Sequence, residues 1–166
     1  GNIEIKIMNG LRNLLQKKNF LIYGFGKSGK ACFKFLNKRN FCKIFDDNLN
    51  NIPQKYKKNI INFKQINKVF FDFIVLSPGI DFKKCKISKY LIKNKAKIIS
   101  ELDIFHLSYP KIKKITITGS NGKSTTSKLL FDVLKKSKKD VRLTGNIGYP
   151  ILLEKNFNNN SIFIIE

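Results

Sequence analysis

Short apolar runs ending in glycine or acidic turns, each followed by apolar residues at helical spacing, recur along this chain and predict alternating strands and helices. Phe20-Leu-Ile-Tyr23 reads as a strand and Gly24-Phe-Gly-Lys-Ser-Gly29 as a turn. Ala31, Cys32, Phe35 and Leu36 then form the buried stripe of a helix. Lys43-Ile-Phe45 predicts a second strand ending at Asp46 and Asp47, ahead of a polar stretch over 48–51 and Pro53. A weak strand is expected near 60–63, and a strong one at Phe73-Ile-Val-Leu76, broken by Ser77-Pro78-Gly79. A helix over 87–94, a strand over 97–99 and a short helix over 102–107 follow. Such alternation implies parallel βαβ units with right-handed crossovers.

Ser108-Tyr-Pro-Lys111 reads as the link to a second unit. That unit is expected to hold a strand over 112–118 and a helix over 123–136, with Leu129, Leu130, Val133 and Leu134 as its buried stripe. A glycine-bounded loop over 145–150, a polar turn over 156–160 and a last strand over 161–165 carrying Glu166 complete it. A parallel sheet of two or so strands cannot bury both faces, so this unit is expected to be poorly stable unless something completes it.

Composition narrows the classes. An apolar fraction of 42% supports a packed core and argues against wholesale disorder. The net charge of +22 invites a nucleic-acid reading. Lys, Asn, Ile and Phe, all encoded by A/T-rich codons, make up 88 of 166 residues, so compositional drift accounts for the charge without a partner. Thirty Lys stand against three Arg, dispersed along the chain, whereas nucleic-acid recognition leans on the bidentate Arg fork. Cys32, Cys42 and Cys85 have neither the number of a disulfide framework nor the spacing of a zinc site. No run is long and apolar enough for a signal peptide or membrane span, so a soluble cytoplasmic protein is expected.

Two glycine loops carry candidate chemistry. In Lys114-Ile-Thr-Ile-Thr-Gly-Ser-Asn-Gly-Lys-Ser-Thr-Thr126 an apolar strand runs into a glycine turn, a lysine and hydroxyls that open a helix. Gly119 and Gly122 let backbone N–H groups turn toward phosphate oxygens at a helix N-terminus. Lys123 can then reach the β- and γ-phosphates of ATP, and Ser124 or Thr125 can ligate Mg²⁺. The spacing is shorter than the usual Walker loop, whose first glycine would fall on Ile117. The second loop, Gly24-x-Gly26-x-x-Gly29 with Asp46 at the end of the next strand, fits the dinucleotide fingerprint and alone would suggest an NAD-binding module. The same turn serves any diphosphate on a helix N-terminus, and a triphosphate loop downstream favours a ligase over a dehydrogenase.

Thr118-Gly-Ser-Asn-Gly-Lys-Ser-Thr125 resembles the ATP-binding signature of the Mur ligases. Gly145-Asn-Ile-Gly-Tyr-Pro150, Leu76-Ser-Pro-Gly-Ile80 and Ser100-Glu-Leu-Asp-Ile-Phe105 are similar to the branch that adds D-glutamate to UDP-N-acetylmuramoyl-L-alanine. The resemblance runs from about Phe20 to Glu166. It implies an α/β chain: a Rossmann-like, UDP-sugar-binding parallel-sheet domain over 1–108, then the first part of a P-loop-type central ATP-binding domain over 111–166. Carried over by motif, Gly24, Gly26, Lys27, Ser28 and Gly29 would border the uridine diphosphate. Asp46 and Asp47 would meet the uracil end, and Ser77, Pro78 and Gly79 would line the same cleft, with Asn146 touching the diphosphate or sugar. Gly119, Ser120, Asn121, Gly122, Lys123, Ser124 and Thr125 would cradle ATP, Lys123 acting on the phosphates, with Ser124 and Glu166 on Mg²⁺. Lys27 stands where an apolar residue is common, and Asp47 and Asn48 replace a hydroxyl and a basic residue of some relatives.

The implied reaction activates a substrate carboxylate with ATP as an acyl phosphate, which the amine of D-glutamate then attacks. The resemblance places the remaining metal-site residues and a third domain after Glu166, so this chain alone is expected not to ligate. His106 is read as a surface or packing residue, and Glu101 and Asp103 as helix-start acids. Other readings are a non-catalytic half of a split enzyme that needs the remainder in cis or trans, an NAD-binding module, and a basic nucleic-acid-binding protein.

Overall fold

Phe20, Leu21, Ile22 and Tyr23 are all fully buried because β1 (Asn19–Tyr23) is an inner strand of a parallel sheet, covered on both faces. The computed structural model describes residues 13–145 and 148–166, which fall into two compact units divided between Ser108 and Tyr109. The chain is α/β throughout these residues.

In the first unit the strand order is β2-β1-β3-β4, with β2 (Phe41–Phe45), β3 (Phe73–Leu76) and β4 (Ile98–Ile99). All pairs are parallel, and the register sets Tyr23 beside Phe45 and Leu76, so the three longer strands end level. Successive side chains alternate between faces. On one face α1 (Lys27–Leu36) buries Ala31, Cys32, Phe33 and Leu36. On the other, Leu21, Tyr23, Phe45 and Ile74 pack with Ile66 of α2 (Phe63–Ile66) and Leu91 of α3 (Ser88–Lys93). The last helix of the unit, α4 (Glu101–Ser108), opens with a reciprocal cap. The Ser100 N–H donates to Asp103 Oδ2 at 2.8 Å, and the Asp103 N–H donates to Ser100 Oγ at 3.1 Å.

The strand expected near 60–63 does not form. Ile60 makes a single parallel bridge to Ile44. Asn62 then starts a helix by a capping box, its side chain accepting from the Gln65 N–H while the Gln65 side chain accepts from the Asn62 N–H. A local polar cap outcompetes strand pairing here.

The second unit has the order β5-β7-β6, again parallel, with β5 (Lys113–Thr116), β6 (Val141–Thr144) and β7 (Ile162–Ile165). Among the described residues this sheet therefore has three strands, against the two or so expected. Val141-Arg-Leu-Thr144 pairs as a strand although four residues with two polar positions carry too little periodicity to predict one. With β6 and β5 on either side, β7 is buried along its whole length.

Helix α5 (Lys123–Lys136) also departs from expectation. Ser127 is buried and Leu130, Phe131 and Leu134 are half-buried, an i, i+3, i+4, i+7 stripe. Leu129 and Val133, expected to be inside, are 62% and 61% exposed. Hydrophobic spacing found the helix but set its inward face about one residue off, because two apolar stripes lie side by side on it.

Candidate functional site

The first unit gathers its polar residues where β1, β2 and β3 end. After β1 the chain crosses to β2 on one side and returns to β3 on the other, so the strand order reverses at β1, and a crevice opens at the carboxyl ends. Gly24 turns there with φ +91, and the Ser77 hydroxyl donates to its carbonyl at 3.2 Å. A Cβ on Gly24 would lie 2.5 Å from Ser77 Oγ, and one on Gly29 would lie 1.9 Å from the Gly24 carbonyl oxygen. Gly29 thus lets α1 press against the loop. Gly26 has a different role: it is the N-cap of α1, no side chain caps that end, and a Cβ there would meet nothing within 4 Å. The first-turn N–H groups are left to solvent or an anion.

The resulting cleft, 360 Å³ in volume, is lined by Gly24, Gly26, Lys27 and Ser28 from the first loop, Asp46 and Asp47 after β2, and Ser77, Pro78 and Gly79 after β3. All the first-unit residues marked in the sequence meet in it except Gly29, which packs beneath the loop. A larger groove of 810 Å³, lined among others by Phe63, Ile66, Tyr90 and Ile92, contains none of them.

The two acids have different work. Asp46 accepts from the Phe25 N–H at 2.8 Å through one oxygen, and from the Asn48 N–H at 2.8 Å and the Asn51 amide at 3.2 Å through the other. Its carboxylate ties the glycine loop to the turn after β2. Asp47 is exposed, accepts the Tyr23 phenol at 2.7 Å, and has its carbonyl held by Lys86 Nζ at 3.0 Å. Burial, and then the Asp47 carboxylate, push the Tyr23 phenol well above its usual pKa, so it stays a donor.

Two contributors were missed in the sequence. Tyr23 was read only as the last apolar residue of a strand. Glu101, read as a helix-start acid, accepts a hydrogen bond from the Ser28 hydroxyl at the start of α1. Neither partner is near in sequence, so no spacing rule marks them. His106 is exposed, as a surface role requires.

In the second unit the loop over 117–122 leaves β5, with the Ile117 N–H bound to the Ile165 carbonyl at 2.8 Å. Gly119 and Gly122 adopt φ +140 and +74, and Gly122 is the N-cap of α5 with no side chain capping it. Lys123 and Ser124 occupy its first turn, with Thr125 next. The Ser124 hydroxyl lies 3.0 Å from each oxygen of Glu166, at the end of β7. Gly145, at φ +99, ends β6 against the same point; a Cβ there would lie 2.4 Å from the Glu166 carbonyl oxygen. Three strand ends therefore converge on one hydroxyl–carboxylate pair beneath a glycine loop. Its oxygen donors suit a hard cation such as Mg²⁺. Among the described residues no group of three or more His, Cys, Asp or Glu could hold a metal. Asn146 lies outside the described residues.

No family model matches the chain. Curated relatives do. The chain is 34% identical over 144 residues to the UDP-N-acetylmuramoylalanine--D-glutamate ligase of Rickettsia bellii, covering 84% of this chain and 32% of that protein. It is 33% identical over 162 residues to the enzyme of the same name from Wolbachia pipientis wMel, covering 93% and 31%. With that of Aquifex aeolicus it shares 36% over 131 residues, covering 79% and 29%. The chain spans about a third of the length of the curated relatives it matches. Over most of its own length, then, this chain is a relative of the Mur ligases, and it resembles the UDP-N-acetylmuramoylalanine--D-glutamate ligases among them.

Proposed function

We propose that this chain is the part of an ATP-dependent peptidoglycan-precursor ligase that holds UDP-N-acetylmuramoyl-L-alanine in the first unit and ATP in the second, the whole enzyme joining the sugar nucleotide to D-glutamate. The observation that carries the reading is the convergence of the Ser124 hydroxyl and the Glu166 carboxylate below the Gly119–Gly122 turn, at 3.0 Å. A lone strand-to-helix turn does not need a carboxylate there; a triphosphate site does, to hold the metal that offsets phosphate charge.

In this reading Gly119, Ser120, Asn121 and Gly122 present backbone N–H groups to the phosphates, and Lys123 supplies the positive charge that lets a carboxylate approach them. Ser124 and Glu166 would hold Mg²⁺, which supplies electrostatic stabilisation of the phosphates when bound. In the first unit the α1 N-terminus, with Gly26, Lys27 and Ser28, receives the diphosphate, and Ser77, Pro78 and Gly79 close the other side of the cleft. The domains run 1–108 and 111–166.

The bonding of Asp46 counts against the NAD reading. A dinucleotide site uses the acid after the second strand on the ribose. Here that carboxylate already accepts three hydrogen bonds from its own chain. No helix among the described residues is long and apolar enough to cross a membrane.

Titration of the chain with ATP in the presence and absence of Mg²⁺, repeated with Lys123→Ala and Glu166→Gln, tests the ATP reading. The expected result is Mg²⁺-dependent binding that both substitutions weaken at least about ten-fold, on the scale of a lost charge-assisted contact. ATP binding indifferent to both residues would refute it.

A further inference from the structure

We propose that Tyr23 is a positioning residue: it fixes the Asp47 carboxylate as a hydrogen-bond acceptor for the nucleoside part of a nucleoside diphosphate in the first unit's cleft. The inference rests on the nucleotide-sugar reading above and deepens it by naming the acceptor and the group that holds it.

The two neighbouring acids differ in how far their own chain occupies them. Asp46 spends both oxygens on the Phe25 and Asn48 N–H groups and the Asn51 amide. Asp47 is exposed in the cleft, with Oδ1 taken by the Tyr23 phenol at 2.7 Å. Among the described residues its Oδ2 accepts no hydrogen bond. Lys86 anchors the same residue from behind, through the Asp47 carbonyl at 3.0 Å. An exposed aspartate ordinarily gives up rotamer freedom when it binds a ligand; a side chain tethered at one oxygen and at its backbone has given it up beforehand.

The Tyr23 hydroxyl is not explained by packing. The ring is fully buried at the end of β1, its centroid 5.1 Å from that of Phe45. A phenylalanine would fill that volume equally well. A buried phenol needs a partner for its O–H, and here the partner is a carboxylate at the mouth of the cleft. The pair links the unit's rigid centre to a ligand-facing oxygen.

A fixed carboxylate oxygen accepts and cannot donate. It favours a ligand presenting an N–H or O–H donor at that point: a base edge with a protonated ring nitrogen, as in uracil, or a ribose hydroxyl. It disfavours cytosine, whose corresponding nitrogen carries a lone pair.

The test is calorimetric titration of the chain with UDP, CDP and 2′-deoxy-UDP, alongside Tyr23→Phe and Asp47→Asn. UDP affinity should fall about ten-fold or more in each variant, the size of one charge-assisted hydrogen bond. The double variant should be no weaker than the worse single one, because the two residues act as a unit. The preference for UDP should collapse in step, against CDP if the base edge is read, or against 2′-deoxy-UDP if the ribose is. A purely structural role for Tyr23 would lower the unfolding temperature and leave these preferences unchanged, and that outcome overturns the proposal. So does UDP binding that Asp47→Asn leaves untouched, the nucleotide-sugar reading then surviving alone. Failure of the unsubstituted chain to bind UDP overturns both.

Discussion

Gly26→Ala and Gly29→Ala add the same methyl group three residues apart and should do opposite things. At Gly29 the added Cβ would lie 1.9 Å from the Gly24 carbonyl oxygen and 2.9 Å from its carbon. Neither is the end of a flexible side chain, so α1 or the loop must shift by about an ångström or more. Overpacking of this kind costs up to about 3 kcal/mol, and replacing glycine inside a helix returns about 1 kcal/mol. The net loss, about 2 kcal/mol, corresponds to a fall of about 8 °C in the unfolding temperature of a unit of this size. At Gly26 nothing lies within 4 Å and φ is −77, so the chain should tolerate alanine with at most about 1 kcal/mol lost at the helix cap. A diphosphate approaching the first turn of α1 would meet that methyl, however. Thermal unfolding followed by circular dichroism, with UDP titration of each variant, separates the two. Gly29→Ala should lose stability and binding together; Gly26→Ala should keep stability and lose binding. If Gly29→Ala unfolds at the unsubstituted temperature, the packing argument is wrong. If Gly26→Ala binds UDP normally, the helix end is not the anion site.

Other consequences can be checked separately. Arg142, one of three arginines, donates to Asp140, Glu154 and the Lys155 and Asn156 carbonyls; Arg142→Lys cannot reproduce the fork, and should destabilise the second unit by about 2 kcal/mol in urea unfolding. A loss no larger than that of a surface Lys-to-Arg exchange would contradict this. The Asp140 carboxyl is held below its ordinary pKa, first by the Arg142 hydrogen bond and then by Ser161. Its contribution is therefore present above the unfolded-state pKa and lost as pH falls through the depressed folded value, and Asp140→Asn should flatten the acid limb of the stability curve. Burial pushes the Cys32 thiol up, and that of Cys42 up to about 12. In the folded chain half-buried Cys85 should react with iodoacetamide well before either, and equal rates would show the buried core to be open. Gly145→Ala, forced to within 2.4 Å of the Glu166 carbonyl oxygen, should weaken Mg²⁺-dependent ATP binding, whereas unaltered binding would detach Glu166 from the site.

The glycine loops were legible because their chemistry is local: a strand, a turn that needs positive φ, and a helix end follow one another in sequence. The gathering of Asp46, Asp47 and Ser77 at the carboxyl ends of the strands follows from parallel βαβ connections. What the residues alone did not show is long-range or amphipathic. The Tyr23–Asp47 and Ser28–Glu101 bonds join positions 24 and 73 residues apart, and both participants have ordinary roles in their own segments. β6 was missed because its alternation lasts four residues, and the face of α5 was misjudged because Leu129 and Val133 mimic a core stripe while Ser127 sits inside. At 60–63, a polar cap decided against a strand that apolar content had suggested.

The central claim is that the first unit receives a nucleotide sugar and not a dinucleotide. Calorimetric titration of the chain with UDP-N-acetylmuramoyl-L-alanine and with NAD tests it most directly. Binding of the UDP-sugar, weakened by Gly26→Ala and undisturbed by excess NAD, is the predicted result. Preferential binding of NAD at the same cleft would contradict it.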